Sequence, residues 1–173
     1  MAQGNAVLFK ALGKIDPKQP YGTELFNALA RLTVSVAVEA VCLRLNPEGR
    51  GIEVYMIQRS PDDTAYPNEW HCPGSVMRPG EDVADVFSRL SMREFDGAKL
   101  QWRFVANINP SKRKPEVRGT FLSMVYLCVL ENKDGLRGKW FPVDELPQNT
   151  VGSHRTRIIP VAVGAFIAKS SNF

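Results

Sequence analysis

The length and composition of the chain describe an ordinary globular protein. Its 173 residues are 44% hydrophobic and 23% charged, which suits one domain with its own core and excludes a disordered or fibrous chain. The formal net charge of +4 fits an anionic small molecule as well as nucleic acid, so it selects neither. The three cysteines form no CxxC pair, and no apolar run is long enough to cross a bilayer. We therefore predict a cytoplasmic protein with free thiols and no membrane contact.

The first third of the chain is predicted to form an arm, a short helix and a β-hairpin. Residues 1–21 mix Gly, Pro, Lys and Gln and are interpreted as an N-terminal arm, followed by a single domain over 22–173. Apolar residues at helical spacing predict a helix over 23–32. Two stretches, the Val-rich 34–45 and the apolar 52–58, predict strands joined by a glycine-containing turn.

The rest of the chain alternates one central helix, further strands and a closing helix. Asp82 is a plausible cap for the central helix, and Gly97 is a plausible stop. Pro160 either starts or kinks the main part of the closing helix. This order predicts an α/β fold with a mixed sheet. The predicted elements are a short segment at 69–77, the helix 82–95, strands at 100–108 and 120–130, a brief strand at 140–142 and the helix 153–169.

Three segments, in order and spacing, resemble the Nudix hydrolase family, whose substrates are nucleoside diphosphates linked to another group. Arg59 followed by 70–75 is similar to the family's "R … W-x-x-P-G-G" approach to the active site. Residues 76–81 and the helix after them are similar to the opening of the Nudix box, G-x5-E-x7-R-E-U-x-E-E-x-G-U. Residues 139–147 are similar to the "W-x-x-x-x-E-L" segment. The resemblance implies an α/β/α sandwich with a mixed central β-sheet.

The box departs from the family pattern where the metal ligands belong. Glu81 and Arg89 match the first Glu and the Arg of the box, whereas Leu90 and Arg93 stand where the family has glutamates. Glu94 keeps the remaining carboxylate of the pair. A second register, in which positions 93 and 94 supply the Arg-Glu pair, also leaves one carboxylate in the cluster. The resemblance therefore points to a degenerate Nudix box.

The resemblance implies Mg²⁺ or Mn²⁺ as cofactor and a set of residues that would hold it. Glu94, Glu81 and Asp134 are the expected catalytic residues, and Glu94 and Ser75 the expected metal ligands. A cation at Arg93 opposes metal binding, so a multi-metal site is not expected. A single Mg²⁺ that uses Glu94, a backbone carbonyl near Ser75 and the phosphates of the substrate is still compatible with the sequence.

Four residues are predicted to bind the substrate, and one of them has a purely structural alternative. Arg59, Arg78 and Arg93 offer guanidinium groups to phosphate, and Trp70 offers a ring for a base, although Trp70 also suits core packing. By the same token, Glu81 with Arg89 can simply orient the loop on the helix, and Asp134 can be a turn residue. The basic loop 112–118 is either a solvated loop or a phosphate-capturing one. His71 lacks the partners for a tetrahedral metal site, and His154 is expected at the surface.

Two functions from different classes follow from this sequence. The first is a Nudix-like hydrolase of a nucleoside diphosphate derivative or similar diphosphate, with an impaired or altered metal site. The second is a catalytically inactive module that binds a nucleotide, a phosphorylated metabolite or a protein partner. The expected partner is a small molecule that contains phosphate, whereas nucleic acid would rest only on the basic loop and is not favoured.

Overall fold

The architecture is given by a computed structural model in which residues 2–20, 22–109, 118–130 and 135–170 are described. The four long strands predicted from the sequence are confirmed at the same bounds. The elements in chain order are α1 (Ala2–Leu12), α2 (Thr23–Ala30), β1 (Val34–Leu45), β2 (Ile52–Gln58), β3 (Trp70–His71), β4 (Gly74–Val76), α3 (Val83–Glu94), β5 (Leu100–Ile108), β6 (Thr120–Leu130), β7 (Lys139–Pro142), a π-helical turn (His154–Ile158) and α4 (Ile159–Ser170).

Seven strands of the described chain form one mixed sheet. Its order is β3-β2-β1-β6-β5, with β4 paired to β1 and β7 paired to β2. The central pair, β1 and β6, is parallel from Val34 opposite Thr120 to Cys42 opposite Cys128, and the other pairs are antiparallel. Strand β1 thus lies at the centre of the fold, and any polar residue on it is positioned by neighbours on both sides.

Helices cover both faces of this sheet. On one face, Val86, Phe87 and Leu90 of α3 pack against alternate residues of β1, among them Val38 and Cys42. On the other face, the π-helical turn and α4 pack against the intervening residues. Because side chains alternate along a strand, β1 contributes to both cores. The predicted α/β/α sandwich with a mixed sheet is confirmed, and each fully buried Val, Leu or Phe stabilises it by roughly 1.5–3 kcal/mol.

The start of α3 is fixed by a reciprocal cap. The Asp82 carboxylate accepts a hydrogen bond from the Asp85 backbone N–H at 2.9 Å, and the Asp85 carboxylate accepts one from the Asp82 N–H at 3.0 Å. Past the end of the helix, Asp96 and Gly97 both have positive φ, of 51° and 79°. Asp82 is the predicted cap, and the helix predicted to run to about residue 95 ends at Glu94, with the predicted stop Gly97 shortly after it.

The N-terminal arm contains a helix that the sequence analysis did not predict. Residues Ala2–Leu12 form α1, and Val7, Leu8 and Phe9 on it are exposed. The glycines and prolines that suggested an irregular arm mostly follow the helix, since Gly13, Pro17 and Pro20 come after it. With so little packing against the domain, α1 depends on local helix propensity, a weak signal in a sequence.

The closing helix begins with an irregular turn. Pro160 lies two residues after the π-helical turn, inside a helical run that is continuous from residue 152 to residue 170, so the residue without a backbone N–H coincides with the irregular part of the closing helix. The π-helical turn before it carries His154, which is only 6% exposed. The expectation of a surface histidine was wrong, because the wide turn directs this ring towards the backbone of Cys72. Among the helices described, none has the length and apolarity needed to cross a membrane.

Candidate functional site

A cavity of about 730 Å³ opens between α3, the end of the arm with α2, the loop after β2 and the π-helical turn. Its described lining is strongly cationic, with seven arginines and only three carboxylates. The arginines come from separate loops and helices, which the fold brings together around one space. The charged lining residues are Arg59, Arg78, Arg89, Arg93, Arg118, Arg137 and Arg157 with Glu39, Asp63 and Glu94.

Glu94 lies at the C-terminal end of α3 on the cavity wall. Burial raises the pKa of its carboxyl group above the usual range, and the charges of Arg93, Arg137 and Arg59 act in the opposite direction. Three guanidinium groups therefore influence this one carboxylate. Arg93 itself is exposed and makes no hydrogen bond to any residue of the described ranges, so its charge is available to a ligand.

Glu81, just before α3, is bound by Arg89 of that helix. Arg89 donates from Nε to Glu81 Oε1 at 3.0 Å and from Nη2 to Oε2 at 2.7 Å, and Oε2 also accepts the Arg78 backbone N–H at 2.8 Å. These bonds lower the pKa of Glu81. Arg89 further donates to Ser75 Oγ and, at 3.2 Å, to the Val76 carbonyl. The first Glu and the Arg of the box thus bind the loop before α3 to the helix.

Asp63 holds two of the cavity arginines together. Its carboxylate accepts hydrogen bonds from Arg118 at 2.6 and 2.7 Å and from Arg59 at 3.1 Å, besides the backbone N–H groups of Ala65 and Tyr66 at 2.9 Å. Burial would raise the pKa of Asp63, but these donors outweigh it and hold the pKa well below the ordinary value. The group of two cations and one anion carries a net positive charge.

The sequence analysis missed Glu39, a buried carboxylate on the cavity wall. Glu39 is 8% exposed on β1, and Ser123 Oγ donates to its Oε1 at 3.1 Å. Its Oε2 occupies the space that a Cβ on residue 74 would need, so Gly74 makes room for this side chain. The signal that could have found it is a single acid inside the otherwise apolar stretch Val34–Leu45, because a buried charge needs a reason.

The structure brings most of the predicted site residues to one cavity. Arg59, Arg78, Arg93, Glu94 and Ser75 line it. Glu81 lies outside the lining and contacts Arg89, as described above. Trp70 also lies outside it: its ring packs edge-on against Phe141 with centroids 4.8 Å apart, beside the core between the sheet and α4. Asp134 and Lys112, Arg113 and Lys114 of the basic loop lie outside the described residues.

Comparisons with known proteins agree on the fold. No protein-family model matches the sequence, and no curated protein sequence matches it. Solved structures do match. A mutT/nudix family protein from Listeria innocua has a TM-score of 0.62 at 14% identity, covering 82% of this chain and 99% of that one. A NUDIX hydrolase from Nitrosomonas europaea has a TM-score of 0.56 at 19% identity, with 79% and 90% covered.

A third similar structure carries a ligand. The NUDIX domain of Shewanella oneidensis NrtR, solved in complex with ADP ribose, has a TM-score of 0.53 at 16% identity and covers 92% of this chain and 97% of its own. The architecture is thus an α/β/α sandwich with an arginine-lined cavity beside its central helix. This chain has the Nudix fold.

The residues described do not fit the multi-metal site of Nudix hydrolysis. No group of three or more His, Cys, Asp or Glu side chains in the described ranges could hold a metal ion. The Ser75 hydroxyl is taken by Arg89, and Glu81 by the same guanidinium. The buried side-chain atoms left without a hydrogen-bond partner include Nε of Arg59 and of Arg118, both on the cavity wall. The seven guanidinium groups around this cavity suit an anion and not a cation.

Proposed function

We propose that this protein binds a small molecule with a diphosphate group, such as a nucleoside diphosphate derivative. In this proposal arginine side chains bind the phosphate oxygens that metal ions bind in Nudix hydrolysis. One observation carries the proposal: seven arginines and three carboxylates line the cavity beside the Nudix helix. The ADP ribose bound by the structurally similar NrtR domain is a ligand of this chemical class.

The chemistry of the arginine side chain supports this assignment. Its planar guanidinium presents paired N–H groups that match two phosphate oxygens, and it stays charged in a protein. Arg93 is the key residue, because it is exposed at the end of α3, lines the cavity and has no hydrogen bond to any described residue. A charge-assisted hydrogen bond contributes roughly 1.5–3 kcal/mol, which is about ten- to a hundredfold in affinity.

Hydrolysis of the bound diphosphate is a second candidate, and one observation favours it. Glu39 and Glu94 line the cavity besides the arginine-bound Asp63, and burial raises the pKa of Glu94, which favours the proton-accepting role of a general base. In this version Glu94 accepts the proton of an attacking water. Mg²⁺ or Mn²⁺ is predicted as cofactor only if the protein is a hydrolase. Glu94→Gln should then abolish turnover and leave binding intact.

The proposal is tested by calorimetry with pyrophosphate, ADP and ADP ribose, each with added Mg²⁺ or with EDTA. We expect wild-type binding that is nearly the same in both conditions, and binding to Arg93→Glu that is at least tenfold weaker in EDTA. Arg50→Glu is the matched control, because Arg50 is exposed in the turn after β1 and carries the same charge change away from the cavity. Absence of binding by all three probes, or binding only with Mg²⁺, contradicts the proposal.

A further inference from the structure

Two buried histidines, His71 and His154, line the same cavity beyond the arginines. They are 7% and 6% exposed, and their ring centroids lie 6.0 Å apart with the ring planes nearly perpendicular. His71 ends β3, and His154 begins the π-helical turn, so separate parts of the chain bring them together. Arg59 acts electrostatically on both rings, as it does on Glu94.

The backbone of Cys72 fixes which nitrogen of each ring carries the proton. His71 Nδ1 lies 2.8 Å from the Cys72 carbonyl oxygen, which only accepts, so Nδ1 is protonated and Nε2 of the neutral ring is an acceptor. The Cys72 N–H donates to His154 Nδ1 at 3.2 Å, so Nδ1 is the acceptor there and Nε2 carries the proton. Cys72 thus fixes opposite tautomers in the two rings, with Nε2 an acceptor in His71 and a donor in His154.

Both rings are neutral at physiological pH. Burial, followed by the positive charge of Arg59, lowers the pKa of His71 well below its usual value and that of His154 to about 3. A neutral ring carries a single N–H proton. The tautomers that Cys72 fixes in His71 and His154 are therefore kept throughout the physiological pH range.

The second nitrogen of each ring is open to a ligand. Neither Nε2 atom has a hydrogen-bond partner within the described ranges. Both histidines are lining residues of the cavity. A histidine that served only the core would use one nitrogen and leave the other facing apolar side chains. Here both histidines with an unused nitrogen line a cavity.

We infer that His71 Nε2 as acceptor and His154 Nε2–H as donor form a neutral subsite, which binds an uncharged group of the ligand that both donates and accepts a hydrogen bond. The inference rests on the proposed function, since the arginines hold the phosphates of the same ligand. Two sources have this chemistry, a sugar hydroxyl and the edge of a nucleobase. Free pyrophosphate has neither, so it should not use the subsite.

Asparagine at each position removes the ligand-facing nitrogen and keeps the structural hydrogen bond. In His71→Asn, the side-chain amide N–H can still donate to the Cys72 carbonyl, and in His154→Asn the amide oxygen can still accept the Cys72 N–H. We expect either variant to bind ADP about tenfold more weakly, because one buried hydrogen bond to the ligand is lost. Its affinity for pyrophosphate should stay within about twofold of the wild type.

Ribose 5-phosphate distinguishes the two sources. Weaker binding of both ADP and ribose 5-phosphate assigns the subsite to a sugar hydroxyl, and weaker binding of ADP alone assigns it to the base. Unchanged ADP affinity in both variants overturns the subsite and leaves the proposed function standing. A wild-type chain that binds none of the three probes overturns the proposed function, and the subsite with it.

A measurement on the wild-type protein keeps the inference testable if the variants do not fold. Nitrogen-15 NMR of the histidine rings reports their tautomers directly. We expect Nδ1–H at His71 and Nε2–H at His154, and ADP should shift both Nε2 resonances whereas pyrophosphate should not. Identical tautomers in the two rings, or Nε2 resonances that do not respond to ADP when ADP binds, contradict the inference.

Discussion

The Glu81 carboxylate is bound by two nitrogens of Arg89, at 3.0 and 2.7 Å, and both side chains are more than four-fifths buried. This pair occupies the two positions of the Nudix box that match the family best, yet Glu81 lies outside the cavity lining. A buried ion pair is costly to break from one side, because the remaining charge keeps its desolvation cost and loses its partner.

We therefore predict that Glu81→Gln lowers the free energy of unfolding by roughly 1–3 kcal/mol and leaves the affinity for pyrophosphate unchanged. Urea unfolding and calorimetry measure the two quantities. Glu48→Gln, in the exposed turn between β1 and β2, is the control and should change neither. A variant of normal stability that no longer binds pyrophosphate would place Glu81 in the site and contradict this prediction.

Much of the fold follows from local sequence patterns, and the cavity does not. The four long strands, the Asp82 cap and the stop at Gly97 each depend on a few neighbouring residues, so they were predicted closely. Glu39 and His154 became site residues through contacts between distant segments, with Ser123 and Cys72 respectively. The spacing of apolar residues along the sequence gives no information about such long-range contacts. Helix α1 was missed for a different reason, since little packing supports it and propensity alone is a weak guide.

The buried, neutral His154 predicts how stability depends on pH. The unfolded chain protonates this histidine below its ordinary pKa of 6.5, whereas the folded chain resists protonation down to about 3. Between these values the unfolded state therefore binds more protons than the folded state. The free energy of unfolding falls as the pH is lowered. From pH 6.5 to 4.5, His154 alone should lower the free energy of unfolding by about 2 kcal/mol.

The measurement is urea unfolding at both pH values for the wild type and for His154→Asn. The asparagine does not titrate, so the loss between pH 6.5 and 4.5 should be smaller in the variant by about 2 kcal/mol. Equal losses in the two proteins would show that His154 is protonated as readily when folded as when unfolded.

Asp63→Asn should destabilise the protein, and an added anion should restore part of the lost stability. The variant keeps an oxygen for the backbone N–H groups of Ala65 and Tyr66 but leaves Arg59 and Arg118 without their shared counter-charge. We expect a loss of roughly 1–3 kcal/mol in the free energy of unfolding, because like charges then face each other in a partly buried place.

Pyrophosphate should raise the melting temperature of Asp63→Asn more than that of the wild type, since it supplies the missing negative charge. Thermal unfolding with increasing pyrophosphate measures this. The neighbouring Asp62→Asn is the control, because Asp62 is exposed and its carboxylate does not hold these arginines. A smaller gain in the Asp63 variant than in the wild type would mean that these two arginines do not bind phosphate.

Leu90→Glu should disrupt the core although it restores a glutamate to the Nudix box. Leu90 is 2% exposed and packs with Val86 and Phe87 in the core between α3 and the sheet. Leu90 also borders the cavity, but a carboxylate in its place would lie against these apolar side chains, and its burial should cost about 3 kcal/mol or more. Met92→Glu, on the same helix and 72% exposed, is the control and should change the free energy of unfolding little. An equally stable Leu90→Glu would mean that this helix can still present a second acid to the cavity.

Arg93→Glu is the substitution that should restore metal binding. Position 93 is exposed on the cavity wall beside Glu94, so a carboxylate there costs little to accommodate and adds a second oxygen ligand next to the first. In the wild type, the cations around Glu94 oppose a divalent ion. We expect calorimetry to detect no Mg²⁺ or Mn²⁺ binding to the wild-type chain alone and millimolar or tighter binding to Arg93→Glu. Arg50→Glu should resemble the wild type, because it makes the same change of charge far from the cavity. If the wild type itself binds metal, and Glu94→Gln abolishes that binding, the arginines do not replace the ion and the hydrolase becomes the better assignment.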